Sequence, residues 1–201
     1  PTIKTVKIKG RGKTNIELFI SFCKENYPGI EDYVVCNTLS DVCKDADIIF
    51  FGTTNASKYE DNPTVKKEWV KQGALVISAS ALLVDTSFLS APEVKLISDN
   101  YKMYEEWGAG HPTPTQRNVS TLLGMGFYDA VTEGKISRTQ ITDIGEIISG
   151  EKSGRDDDSQ IILYAVGGMP IEDVAWAHDC FKNALKKNIG VTLNLWDKPA
   201  L

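Results

Sequence analysis

Short apolar runs alternate with longer amphipathic stretches along most of this chain. Residues 3–8 (Ile-Lys-Thr-Val-Lys-Ile) alternate in polarity and predict a strand, followed by a turn at Gly10-Arg11-Gly12. Asn15 is placed to cap a predicted helix over 16–26, with Leu18, Phe19 and Phe22 on one face; Pro28-Gly29 ends it. Residues 33–36 predict a second short strand and 39–43 a short helix. The run 46–52 (Ala-Asp-Ile-Ile-Phe-Phe-Gly) is almost continuously apolar, as expected of a central parallel strand covered on both faces. A helix over 65–71, stopped by Gly73, leads into a buried strand over 74–79, and 94–98 predicts another.

The second half is more irregular at first. Residues 108–118 are rich in Gly, Pro and Thr, and Pro112 and Pro114 bias them toward an extended course. A helical stretch follows, then 141–149, a turn over 150–155, and a strand over 160–165. Gly167-Gly168 breaks that strand. Pro170 opens a long helix reaching Asn188-Gly190, with Glu172 and Asp173 at its start and Lys182, Lys186 and Lys187 near its end. A last strand is predicted over 191–195.

Strand and helix alternating at this spacing give an α/β chain with a parallel sheet and right-handed crossovers. The opening strand Val6-Lys7-Ile8 and its basic turn fit the second strand of a Rossmann domain, not the first. The expectation is therefore a Rossmann-type NAD(P)-binding domain lacking its first strand and phosphate loop, with another polypeptide segment supplying them. Ligands of such sheets bind outside the carboxyl ends of the strands. That directs attention to the loops 9–14, 52–57 and 79–86.

Composition narrows the class. The chain has 201 residues, 42% of them hydrophobic, and a formal net charge of −5, which argues against a nucleic-acid surface. No apolar stretch approaches the roughly 18 residues of a membrane span. Four cysteines without a C-x-x-C pair, and two histidines, suggest reduced and mostly buried thiols in a cytoplasmic protein and no metal site.

Several residues qualify for chemistry, each with an ordinary structural alternative. At the end of the second Rossmann strand an acid meets the ribose of NAD, whereas an arginine pairs with the 2′-phosphate of NADP. The segment 7–13 has no acid there; it has Arg11, flanked by Lys9 and Lys13. It reads as an NADP clamp or as a plain exposed basic turn. Thr53 and Thr54 follow the strongest buried strand, and Ser78 and Ala79 end the next. All are small enough for close approach of a cofactor, or are simply strand-end residues. Asp85 is the carboxylate just beyond, placed to orient an amine or relay a proton, or to cap a helix. His111 is a loop histidine, more ordinary as a surface residue. Gly167-Gly168, before a Pro-started helix, suggests close backbone approach to a ligand or simple turn chemistry.

Taken in order, these segments resemble the ornithine cyclodeaminase/mu-crystallin family. The resemblance is carried by residues 144–150 (Ile-Gly-Glu-Ile-Ile-Ser-Gly), Gly154-Arg155, and 167–175 (Gly-Gly-Met-Pro-Ile-Glu-Asp-Val-Ala). Asp45-Ala46-Asp47-Ile48-Ile49 followed by Thr53-Thr54 adds to it. The resemblance implies NAD(P)-dependent imine or amine redox chemistry on a small amino or imino acid, in homodimers. It implies residues 1–140 as part of the Rossmann domain and 141–201 as the segment returning to a dimerisation and substrate domain. It places Arg11, Thr53, Thr54 and Gly168 at the cofactor, and Asp85 loosely at the site's acid. The cyclodeaminase catalytic aspartate matches near Leu82, which is apolar. The expected function is thus an NAD(P)-dependent oxidoreductase or cyclodeaminase-like enzyme, working as one part of a larger chain or two-chain assembly. NADP is the expected cofactor, with NAD as the other choice. A non-catalytic nucleotide- or ligand-binding protein of the same fold is the rival, and a cleavage fragment of an active parent is a third possibility.

Overall fold

A computed structural model describes residues 3–193. The chain divides at Gly167/Gly168 into two compact units. The first contains β1 (Thr5–Ile8), α1 (Lys13–Asn26), β2 (Asp32–Val35), α2 (Leu39–Cys43), β3 (Ile48–Phe51), β4 (Thr64–Val65), β5 (Leu75–Ser78), β6 (Leu83–Val84) and α3 (Thr86–Leu89). It continues with β7 (Val94–Ser98), α4 (Tyr101–Gly108), α5 (Thr115–Asn118), α6 (Leu123–Thr132), β8 (Ile141–Asp143), α7 (Ile144–Ile148) and β9 (Ile161–Ala165). The second unit contains α8 (Pro170–Lys187).

All named strand pairs are parallel, in three sheets. The main sheet has the order β3-β5-β9-β7-β8; β1 pairs with β2, and β4 with β6. The α/β class with a parallel sheet is therefore as the residue pattern predicts. Side chains of β3, β5, β7, β8 and β9 meet helix residues Phe88, Tyr101, Tyr104, Leu123, Met125 and Phe127 in one buried cluster. Cys43 lies in this core, and burial pushes its thiol up to about 11. All four cysteines are free; Cys23 and Cys43 are buried, while Cys180 is exposed.

Among the described residues, no strand pairs with the side of β1 away from β2 or with the side of β3 away from β5. The carbonyls of Asp47 and Phe51 accept from Leu75 and Ala79. Backbone groups alternate sides along a parallel strand, so those of Ile48 and Phe50 face away from β5. Likewise Lys4 and Ile8 accept from Asp32 and Cys36, which turns the backbone groups of Thr5 and Lys7 away from β2. Apolar side chains of β3 and α1 are exposed. Phe50 is 64% exposed, and Leu18, Phe19 and Phe22 of α1 are exposed as well, while Cys23 is the helix's buried position.

Local differences from the sequence expectation have clear causes. The helix expected over 65–71 is not there. Pro63 holds Asn62 in an extended conformation, Val65 pairs into β4, and only one 3₁₀ turn forms over Lys67–Trp69. The first helix begins at Lys13 with Gly12 as its N-cap, not at Asn15. The 108–118 segment is not extended throughout, because α5 forms where the Asp129 carboxylate collects the backbone N–H groups of Thr115 and Gln116. Within its own unit, α8 has Pro170 in its first turn, Glu172 and Asp173 beside it, and Lys186 and Lys187 in its last turn, as its dipole favours. Asn188 closes it at φ 50. Residues 191–193 carry no regular structure, and the rest of the strand expected over 191–195 lies outside the described residues.

Candidate functional site

The site is built at the carboxyl ends of β3 and β5, which the sheet register brings side by side. Ala79 donates its N–H to the Phe51 carbonyl at 2.9 Å, continuing the ladder one step past the strands. The two loops then lock onto each other. Thr53 donates its N–H to Ser80 Oγ at 3.0 Å, and Asn55 Oδ1 accepts from the Ala81 N–H at 3.3 Å. Ser78 Oγ donates to the Ser80 carbonyl at 2.8 Å. Further along the first loop, Asn62 is buried; it accepts from Ala56 and donates to the carbonyls of Lys58 and Tyr59.

These bonds sort the strand-end residues. Thr53, Thr54 and Ala79 stand exposed on the open edge. Ser78 is buried and its hydroxyl is already engaged, so it shapes the edge from beneath. Ser80 and Asn55 are the side chains that join the loops.

Arg11 lies exposed in the turn between β1 and α1, without an ion pair among the described residues. Its basic neighbours differ in use. Lys7 donates its ammonium to the carbonyls of Lys44 and Asp41, which ties β1 to the turn before β3. Lys13 faces Glu17 one turn on, at 3.9 Å. Arg11 and Lys9 are thus the cations this turn leaves uncommitted.

Asp85 is exposed at the N-cap of α3, directly after β6. Its backbone carbonyl accepts from Phe88 and Leu89, while its carboxylate makes no capping bond. Leu82 is fully buried in the core. His111 is exposed. Gly168 opens the second unit with φ +89, a conformation that favours glycine.

A buried carboxylate that sequence reasoning did not single out stands at the ends of β7 and β9. Asp99, 5% exposed, accepts from Gly167 N–H at 2.6 Å, Asn100 N–H at 2.9 Å and Tyr104 Oη at 3.1 Å. Burial and the adjoining Asp99 push the Tyr104 phenol well above its ordinary range, so it serves as a donor. A Cβ on Gly167 would lie 2.6 Å from that hydroxyl and 2.7 Å from Met103 Cε, so the turn after β9 admits no larger residue without a shift. The only sequence signal for Asp99 is its place one residue beyond an apolar strand.

Comparison with known proteins follows the same lines. A family model described as "Ornithine cyclodeaminase/mu-crystallin family" matches residues 1–188. The chain is 27% identical over 195 residues to N-((2S)-2-amino-2-carboxyethyl)-L-glutamate dehydrogenase of Staphylococcus aureus, covering 86% of this chain and 53% of that protein. It is 29% identical over 178 residues to alanine dehydrogenase of Archaeoglobus fulgidus, covering 86% of this chain and 46% of that protein. Among solved structures, Δ1-pyrroline-2-carboxylate reductase of Thermococcus litoralis, in complex with NADH and L-proline, aligns with a TM-score of 0.67 at 20% identity, over 95% of this chain and 53% of the other. An archaeal alanine dehydrogenase dimer with bound NAD aligns with a TM-score of 0.68 at 23% identity, over 96% and 53%. The chain spans about half the length of the curated relatives it matches. Among the described residues, no helix is long and apolar enough to cross a membrane.

Proposed function

The chain belongs to the ornithine cyclodeaminase/mu-crystallin family, and from that premise we propose that it is the cofactor-binding part of an NAD(P)-dependent oxidoreductase acting on a small amino or imino acid. The observation that carries the reading is the open carboxyl edge of β3 and β5, where Thr53, Thr54 and Ala79 stand exposed on loops already fixed to each other. This is where doubly wound sheets take nucleotides. Relatives named as dehydrogenases, and a neighbour solved with NADH and L-proline, support it.

A bound nicotinamide supplies or accepts the hydride. Thr53 and Thr54 offer hydroxyls to ribose or pyrophosphate, and Ala79 lets the cofactor lie close to the backbone. Ser78 supports this edge through Ser80. Arg11 grips a 2′-phosphate, which favours NADP over NAD. Gly168 gives the backbone its close approach near the nicotinamide. Asp85 orients the amine or moves its proton. A solvent-facing Asp85 is the structural alternative.

The proposal includes a partner polypeptide. β1 and β3 are edge strands of two separate parallel sheets, and the order of a doubly wound sheet puts one further strand between two such halves. That strand, with a phosphate-binding turn, comes from the portion of the protein this chain does not span, within one longer chain or from a second one. The complete unit forms a homodimer in the cytoplasm. Of the segment 141–201, α8 carries the proposed dimerisation role, since Ile171, Val174, Phe181 and Leu185 share one face of it.

Titrating NADPH and NADH by fluorescence into the assembly purified from its native source tests the cofactor reading. A charge-assisted phosphate contact favours NADPH by about 10- to 100-fold, and Arg11→Ala abolishes the difference. Equal affinities in the native protein, or an unchanged ratio in the variant, refute the clamp. Assay of amino acids, keto acids and cyclic imines for cofactor oxidation or reduction tests the enzyme. Buried Leu82 gives the rival its footing, and cofactor binding with no turnover across that panel establishes the non-catalytic reading.

A further inference from the structure

Beyond the cofactor edge, the segment 113–122 is tied to more of the first unit than a surface connection requires. Its start is held from α6. Asp129, 7% exposed, accepts from Thr115 N–H and Thr115 Oγ1, both at 2.7 Å, and from Gln116 N–H at 2.9 Å. Both carboxylate oxygens are therefore used, each on a backbone donor of the same turn. Gln116, itself buried, then reaches the loop after β5. Its Nε2 lies 2.8 Å from the Leu82 carbonyl and 3.2 Å from that of Leu122. The end of the segment joins the same loop directly. Leu82 donates its N–H to the Thr121 carbonyl at 3.2 Å, and Ala81 bridges Leu122. On the outer side, Arg117 meets Glu60 at 2.5 Å and lies over the Tyr59 ring at 4.6 Å.

Ala81 and Leu82 sit beside the residues that join the two cofactor loops. Ser80 receives the Thr53 N–H, and Ala81 donates to Asn55. An unbroken run of hydrogen bonds and adjacent residues thus leads from Asp129 through Gln116, Leu82 and Ser80 to Thr53. We infer that residues 113–122 form a strap that fixes the two carboxyl-edge loops at their spacing, with Asp129 and Gln116 as its positioning residues. Neither residue lies at the open edge. The buried carboxylate sets the strap, the strap sets Leu82, and Leu82 sets the loop that bears Ser80. The physical basis is that buried amide and carboxylate groups tolerate few alternative arrangements, since each lost partner leaves a desolvated polar atom. The strap itself stands apart from the cofactor reading; only its effect on cofactor affinity rests on that reading.

Hydrogen–deuterium exchange on the full chain is the test, comparing the native protein with Gln116→Met and Asp129→Asn. Methionine keeps the side chain's length but donates nothing. Asparagine leaves one oxygen and turns an amide toward a backbone N–H. Amides at 53–56 and 79–83 should exchange about tenfold faster in both variants, with those of β7 and β9 unchanged. Arg117→Ala, which removes the exposed pair with Glu60 and the contact over Tyr59 but none of the bonds to Leu82, should leave 79–83 at its native rate. If Asp129→Asn does not fold, Gln116→Met decides by itself. Acceleration confined to 113–122 overturns the strap, and so does a general acceleration that includes β7 and β9. A second arm titrates NADH into the native assembly and its Gln116→Met form, where about tenfold weaker binding is expected. No NADH binding by the native assembly, with the exchange pattern as expected, overturns the cofactor reading while supporting the strap.

Discussion

At the scale of single residues, Tyr104 shows how tightly the carboxyl edge is determined. Its ring is fully buried, and its hydroxyl is held by Asp99, so it cannot swing aside. Gly124 on α6 gives it room, for a Cβ there would come within 2.2 Å of Tyr104 Cζ. Gly124→Ala should therefore cost about 1–3 kcal/mol by overpacking and lower Tm by roughly 3–10 °C. Thermal unfolding followed by circular dichroism measures this. If the cost comes from the ring, Tyr104→Leu in the same chain recovers part of it, and a double-mutant cycle gives a coupling of opposite sign to the single losses. Additive losses would show that Gly124 is needed for some other reason. Candidate chemistry at this scale was legible where a residue type is rare in its setting. Arg11 after the first strand and the threonines after the apolar run 48–51 are such cases. Asp99 and Asp129 were not, because an isolated aspartate in a sequence carries no sign that its carboxylate is buried among backbone donors.

At the scale of elements, the open edges of β1 and β3 make a testable distinction within single strands. In β1, the N–H of Val6 faces β2, whereas those of Thr5 and Lys7 face the open edge. In β3, Ile49 faces β5, whereas Ile48 and Phe50 face outward. Residue-resolved amide exchange on the 201-residue chain should therefore show slow Val6 and Ile49 flanked by fast Thr5, Lys7, Ile48 and Phe50. In the native assembly the four outward amides should become protected together. Their continued fast exchange there would refute an added strand at both edges. Strands β1, β2, β3, β5, β7 and β9 were readable from alternation and apolar runs, whereas the short β4, β6 and β8 were not. A helix was expected over 65–71 where none forms, since the spacing of Val65, Trp69 and Val70 suits a helix. Pairing of β4 with β6 and the extended backbone before Pro63 decided otherwise.

At the scale of the whole molecule, exposed apolar side chains on α1, β2 and β3 combine with unpaired strand edges. Leu18, Phe22, Val35, Ile48 and Phe50 are each more than half exposed. Such surfaces promote association. The 201-residue chain on its own should therefore elute from size exclusion as a concentration-dependent series of oligomers. The native assembly should give one discrete species by light scattering. A monodisperse monomer of the isolated chain would argue that these surfaces need no partner.

The order and class of the main elements follow from the sequence alone, because burial on a parallel sheet demands apolar runs of strand length between amphipathic stretches. The family follows as well, since ordered motifs such as 144–150 and 167–175 are local in the chain. What the tertiary structure alone decided is which polar groups meet. Ser78 turned inward to Ser80, Lys7 turned to the carbonyls near β3, and Asp129 gathered a turn fourteen residues upstream. Which backbone groups of β1 and β3 turn away from their partners was likewise settled only in three dimensions. Hydrogen bonds are short-ranged and directional. Their partners are fixed only once packing has brought distant segments within about 3 Å of each other, and no spacing along the chain encodes that distance.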